Sequence, residues 1–282
     1  MATAAASRRE RSPEAKTTVE IEAVQGSRMP ILQVENLTKR FAGLTAVDGL
    51  SFAVEEGEIH GLIGPNGAGK TTTFNVICGF YAPTSGKVLY GGRDISGLRT
   101  SKIAELGLVR TFQGTVLFHE FTVLDNVLVG CHLHARTSFL DALLGLNRAR
   151  ESAARDKAEE MLDFFGLSDR KEELTSNLPH GLQRALGIAV ALAADPKVLL
   201  LDEPFTGMNP EETRQMMELL RRVSQRGVTL LLVEHDMQAV MGLCGRITVL
   251  SFGSLLAEGT PEEIRAHPQV IEAYLGTADH AA

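Results

Sequence analysis

The sequence predicts an α/β fold in three parts: a core on a parallel sheet, an antiparallel β-subdomain and a helical subdomain. Three observations carry this. The runs 197-KVLLLDE-203 and 228-VTLLLVEH-235 are almost continuously apolar and are flanked by helix-like stretches, which marks strands of a parallel sheet covered on both faces. The N-terminal part instead holds short runs broken by turn residues, 31-ILQVENL, 50-LSFAVEEGEIHGLIG and 87-KVLYGGRDI, as antiparallel strands require. Between these regions apolar residues recur at helical spacing from about residue 122 to 194, so a helical subdomain is assigned to about 116–194.

Each element follows in order. Residues 1–30 lack aromatic side chains and mix small with charged residues, so they are expected to form a disordered tail. Met29 directly precedes the first strand-like run, and translation could begin there. The turn signals Val54–Glu58 and Tyr90–Arg93 are expected to join antiparallel strands. In the middle, Ala154, Ala158, Met161, Leu162 and Phe165 fall at helical spacing, and Gly166 stands where that helix would stop. Helices are predicted over 210–226 and 236–244, each following one of the apolar strands. A hairpin over 247–259 and one last helix over 261–275 complete a domain spanning 31–276, followed by a short tail, 277–282. No internal repeat is visible.

Composition narrows the function classes. A chain of 282 residues can bury a sizeable core, and 44% apolar with 22% charged residues is ordinary for a globular protein. A net charge of −7 gives no basic footprint for nucleic acid. Cys78, Cys131 and Cys244 lie far apart without a CxxC pair, and read as small buried hydrophobes in a reducing compartment. No apolar run approaches the 18 or so residues that span a bilayer, and the N-terminus has no apolar signal core. Any membrane role would run through a partner.

Residues 64-GPNGAGKT-71 match GxxxxGK[ST], after the apolar strand Ile59–Ile63 and before the helix-like 71-TTTFNVIC. Gly64, Gly67 and Gly69, with Pro65, Asn66 and Ala68 between them, let successive backbone N–H groups turn inward as an anion nest. The helix that follows, starting near Thr71 and Thr72, adds its positive end. Lys70 would reach the β- and γ-phosphates of a nucleotide, and the Thr71 hydroxyl would bind Mg²⁺. In 198-VLLLDEP-204, a strand ending beside this loop would deliver Asp202 to the Mg²⁺ shell through water, while Glu203 would polarise an attacking water. His235, in 234-EHD, ends the neighbouring strand, where it could contact the γ-phosphate and hold Glu203.

Together these motifs resemble the ATP-binding subunits of ABC transporters, over residues 31 to 276. The resemblance implies a P-loop NTPase fold of the ABC nucleotide-binding type, with ATP and Mg²⁺ as cofactors. It adds Gln113 in 110-RTFQ as the Q-loop residue bridging Mg²⁺ and the helical insert, and Phe41 in 39-KRFAG as the aromatic that stacks on adenine. It also implies that the signature from Leu178, with Gly181, contacts ATP held by a second subunit. RTFQ, TVLDN, LDEPFTGMNP, EHDM and GTPEEIRAHPQVIEAYLG are similar to the LivG-type branch, which powers high-affinity branched-chain amino-acid importers. That branch implies a second and different ATP-binding subunit, two membrane permease subunits and an extracytoplasmic solute-binding protein. It places the chain peripherally on the cytoplasmic face of the plasma membrane. By the same resemblance the region of Phe118 and Phe121 would border the groove that receives the permease; alternatively these side chains pack the helical subdomain.

Two positions depart from the family pattern. The usual LSGGQ is 178-LPHGL-182, and the usual aspartate of the following turn is Asn209. Pro179 removes a hydroxyl and an N–H from the site built with the partner. A hydrogen bond to a charged group contributes about 1.5–3 kcal/mol, so that site should weaken roughly ten- to a hundredfold. This chain's own set, Lys70, Thr71, Gln113, Asp202, Glu203 and His235, is complete. Other solutes (urea, short amides, an exported lipid) would use the same nucleotide machinery. A soluble ABC ATPase of repair or translation would need coiled-coil heptads, ligated zinc, a second phosphate loop or a basic face, none of which the sequence carries.

Overall fold

The computed structural model of the chain describes residues 30–111, 117–132 and 147–275. β1 (Pro30–Phe41) and β2 (Leu44–Glu55) form a long antiparallel pair, and β4 (Ser85–Tyr90) and β5 (Arg93–Asp94) extend it to a sheet of order β2-β1-β4-β5. Pro30 thus already belongs to a strand, one residue before the expected domain start. The β4–β5 turn behaves as its Gly-Gly pair predicts. Gly91 and Gly92 have φ of 53° and 75°, the left-handed values that match hairpin twist.

The first turn signal leads elsewhere. β3 (Ile59–Ile63) does not return along β2 but enters a second sheet, because the chain turns at Gly57, whose φ is 79°. The Gly57 N–H donates to Thr229 Oγ1 at 2.9 Å, and the Glu58 carbonyl accepts from the Leu230 N–H at 2.9 Å. Those bonds commit the segment to a parallel neighbour. The second sheet has order β10-β9-β3-β8-β7-β6, built from β6 (Leu108–Arg110), β7 (Val198–Asp202), β8 (Thr229–Val233), β9 (Arg246–Ser251) and β10 (Ser254–Gly259). All neighbours pair in parallel except β10, which closes a hairpin on β9.

Every residue of β7 and β8 is buried, because both faces of this sheet are covered. Leu199, Leu201, Leu230 and Leu232 face a helical core, whereas Val198, Leu200, Leu231 and Val233 face α1 (Lys70–Ile77) and the antiparallel sheet. Each fully buried leucine contributes about 1.5–3 kcal/mol. The central strands carry the site on their carboxyl ends.

The described helical subdomain comprises α3 (Val123–His132), α4 (Asn147–Phe164) and α5 (His180–Leu192), after α2 (Thr100–Glu105). Gly166, at φ 68°, ends α4 as expected. The Leu167 N–H donates to Leu162 O and the Gly166 N–H to Asp163 O, the paired bonds of a Schellman ending. Phe118 and Phe121 are roughly half exposed and their rings stack with centroids 5.0 Å apart. Asn126, buried below, accepts from the Phe118 N–H and donates to the Phe118 and Thr122 carbonyls.

α6 (Pro210–Gln225) and α7 (Met237–Leu243) lie where expected. The last helix does not. The single helix predicted over 261–275 is two, α8 (Pro261–Ala266) and α9 (Pro268–Leu275). Pro268 excludes its predecessor from helical geometry, and His267 is extended at ψ 116°.

Candidate functional site

The parallel register brings three chain segments to one edge. Leu62 of β3 pairs with Val233 of β8, and Val233 pairs with Asp202 of β7. Beyond that line lie the loop 64–69, the pair Asp202–Glu203 and the turn 234–236.

The loop is shaped by glycines pressed against backbone. A Cβ on Gly64 would stand 2.3 Å from the Leu250 carbonyl oxygen, and one on Gly69 would stand 2.5 Å from that of Ala46. The Ala68 carbonyl accepts from the Gly253 N–H at 3.1 Å, fixing the loop's outer arm to the β9–β10 turn. α1 then starts with Gly69 as its N-cap, without a side-chain cap and without an acidic residue in its first turn. Its free N–H groups are the chemistry an anion needs. Lys70 is buried, and its Nζ donates to the Gly64 carbonyl at 2.6 Å and the Pro65 carbonyl at 3.0 Å, so the ammonium sits across the loop's mouth. Burial pulls that ammonium below the usual lysine range, opposed by the charges of Glu203 and Asp202. Asn66, Gly67 and Thr71 are exposed on the rim. This donor set fits a polyphosphate.

The acidic edge holds a partnership that sequence reasoning missed. Asp202, 3% exposed, pairs through Oδ2 with Arg110 Nη2 at 2.6 Å. The other guanidinium arm donates to Asn75 Oδ1 of α1 at 2.6 Å, and the same group lies near the Phe74 and Phe80 rings. One arginine therefore ties β6, β7 and α1 together. A signal existed in Arg110 itself, a cation at the end of an otherwise apolar strand. Among the described residues no group of three or more His, Cys, Asp or Glu is arranged to hold a metal ion. One carboxylate and one hydroxyl, Asp202 and Thr71, fit Mg²⁺, which takes one or two protein oxygens beside phosphate oxygens.

Glu203 follows Asp202 in a left-handed conformation, φ 49°, unusual for a residue with a long side chain. Its N–H donates to the Val233 carbonyl at 2.9 Å, which holds the bend against β8. The exposed His235 ring places Nδ1 3.8 Å from Glu203 Oε1 and 3.9 Å from Glu234 Oε2. Glu234, another residue that sequence reasoning passed over, is 1% exposed. It accepts at Oε1 from the Phe205 N–H (2.9 Å) and at Oε2 from the His235 (3.0 Å) and Asp236 (3.4 Å) N–H groups. Burial pushes its carboxyl above the usual range, and these donors oppose the shift.

The remaining expected residues lie at two other places, and one cannot be placed. Phe41 is partly exposed at the end of β1, edge-on to Tyr81 at 5.1 Å, with Lys39 Nζ 4.9 Å above its ring. Pro179 is the N-cap of α5 and supplies no side-chain bond. Gly181 lies against α6, where an added Cβ would come 3.1 Å from Glu212 Oε1. Asn209 caps α6, accepting from the Glu211 (2.9 Å) and Glu212 (3.0 Å) N–H groups in a capping box. Gln113 lies outside the described residues, although the Thr111 N–H still pairs with the Leu200 carbonyl at 2.9 Å just before it.

The profile of the ABC transporter family matches residues 47–206, and that of the branched-chain amino acid ATP-binding cassette transporters matches residues 254–280. The chain is 46% identical over 252 residues to the high-affinity branched-chain amino acid transport ATP-binding protein LivG of Salmonella typhimurium, covering 88% of this chain and 99% of that one. It is equally 46% identical, with the same coverage, to BraF of Pseudomonas aeruginosa, a protein of the same description. A solved ATP-binding cassette of an ABC transporter in its ADP conformation superposes with a TM-score of 0.77 at 31% identity, covering 88% of this chain and 99% of that chain. With the nucleotide-type loop, the acidic strand end and the two-sheet architecture in hand, the chain belongs to the ATP-binding subunits of the ABC transporter family.

Proposed function

We propose that this ABC ATPase energises import of branched-chain amino acids, working with a second and different ATP-binding subunit, two permease subunits and an extracytoplasmic solute-binding protein. The reading rests above all on the register that lines up the ends of β3, β8 and β7, so that one nucleotide can meet Lys70, Asp202, Glu203 and His235 together. The solute class follows the names of the relatives and the match over 254–280. Among the described residues no helix is long and apolar enough to cross a membrane, so attachment to the cytoplasmic face would run through the permease.

In this reading the loop Gly64–Gly69 wraps the β- and γ-phosphates, with Pro65 and Ala68 shaping the bend and the N–H groups of Asn66, Gly67, Gly69, Thr71 and Thr72 donating to phosphate oxygens, and Phe41 stacks on adenine. Lys70 leaves its two loop carbonyls for phosphate oxygens, a stronger, charge-assisted pairing. Thr71 would hold Mg²⁺, with Asp202 and Gln113 in its water shell, and the ion would supply charge neutralisation at the β- and γ-phosphates. Glu203 accepts a proton from the attacking water, and His235, close to Glu203, contacts the departing γ-phosphate. Gln113 reports loss of that phosphate to the helical subdomain, whose exposed pair Phe118 and Phe121 would seat the permease. Gly181 and its neighbours serve the partner's ATP.

Co-purification from native membranes tests the whole reading. The wild-type chain should bring down a permease and a binding protein that recognises branched-chain amino acids. Phe118→Glu with Phe121→Glu should lose the permease and keep nucleotide, whereas Lys70→Ala should keep the permease and lose at least tenfold in Mg·ATP affinity. A binding protein that selects another solute would sink the substrate assignment, and full affinity in Lys70→Ala would sink the site.

A further inference from the structure

Two turns must hold their positions for Glu203 and His235 to meet one phosphate, and they leave different strands. The Glu203 turn follows β7 and the His235 turn follows β8. Ladder bonds fix the strands but stop at the strand ends, and Glu203 adds a left-handed bend, φ 49°, that a non-glycine residue keeps only under constraint.

We propose that Glu234 is a positioning residue whose carboxylate clamps these two turns together. One oxygen, Oε1, takes the Phe205 N–H at 2.9 Å, two residues beyond Glu203. The other, Oε2, takes the His235 N–H at 3.0 Å and the Asp236 N–H at 3.4 Å. Because Glu234 is 1% exposed, water cannot replace those bonds. Asp236 continues the chain of support, since its carboxylate caps α7 by accepting from the Gln238 (2.9 Å) and Ala239 (3.0 Å) N–H groups. His235 therefore stands between a buried anchor and a capped helix start. A carboxylate suits the task because it accepts on both oxygens. The amide of glutamine has the same shape but presents an NH₂ to donors on one side.

The proposal rests on the reading that Glu203 and His235 act on the terminal phosphate. It predicts a particular kinetic pattern, because the phosphate loop is untouched. In the full chain assembled with its membrane partners, Glu234→Gln should lower kcat about ten- to a hundredfold, with KM for ATP changed less than twofold. Glu234→Asp, which keeps the charge but cannot span both turns, should show the same split more mildly. In a His235→Ala background the glutamine substitution should cost less than threefold, because the clamp then has less to position. Amide exchange at Phe205 and His235 in the chain alone should accelerate in Glu234→Gln, while exchange at Thr73 of α1 stays unchanged. A kcat within twofold of wild type, a full additional loss in the His235→Ala background, or loss of the fold in both Glu234 variants would overturn the assignment. Glu203→Gln run in parallel separates the two failures: if it too leaves turnover intact, the functional reading itself is wrong.

Discussion

The helix that starts at Lys70 and the one that starts at His180 share an uncapped start and differ in everything around it. Neither has a side-chain cap, nor an acidic residue in its first turn. By contrast α6, α7 and α8 are capped by Asn209, Asp236 and Thr260. The start of α1 is enclosed by its own loop and holds a buried lysine. The start of α5 offers exposed Pro179 and His180 and no cation. In the proposed function one is a phosphate site enclosed by its own chain, and the other is half of a site that a second chain would complete. An open start is not sufficient evidence by itself, since the six-residue α2 also lacks a side-chain cap and no motif accompanies it.

The largest effect should come from the enclosed side. Glu203→Gln should cut ATP turnover in the assembly about ten- to a hundredfold, down to the residual rate of the partner's weak site, while leaving Mg·ATP affinity near wild type. If instead the matching change in the partner were the only damaging one, the contrast between a strong and a weak half would be reversed. Next, restoring a hydroxyl on the weak side sharpens it: Pro179→Ser should raise turnover at the partner's site about tenfold and supply α5 with the cap it lacks. Unchanged turnover there, measured with this chain's own site disabled by Glu203→Gln, would mean the open start does not meet nucleotide. The smallest effect belongs to a capped start. Asn209→Ala should lower thermal stability by about 1 kcal/mol, with ATP affinity of the isolated chain unaltered. A large loss of affinity would show that capping and nucleotide contact are not separable at that turn.

What could be read in advance follows the range over which each feature is encoded. The phosphate loop, the apolar strands β7 and β8, the Gly91–Gly92 hairpin and the Gly166 stop are local patterns, and residues within one element suffice to specify them. The destination of the chain after Gly57 was misread because a turn residue encodes a bend but not the partner strand. Thr229, which receives the Gly57 N–H, is far away in sequence. The Arg110–Asp202 pair and the Glu234 clamp were missed for the same reason, since each joins elements that only the sheet order makes adjacent. The break between α8 and α9 was legible in His267–Pro268, and the apolar periodicity across it masked the proline's effect.

β7 and β8 carry a further consequence. Strands buried on both faces have no inside–outside alternation to count by, so their interiors would tolerate sliding by one residue, about 3.3 Å. The polar groups at their ends act as stops instead: Thr229 on Gly57 at one end, Asp202 on Arg110 and the Glu203 N–H on the Val233 carbonyl at the other. The polar groups assigned to the nucleotide in the proposed function thereby also measure out the sheet, and a substitution that silenced one of them would loosen the ruler as well as the chemistry.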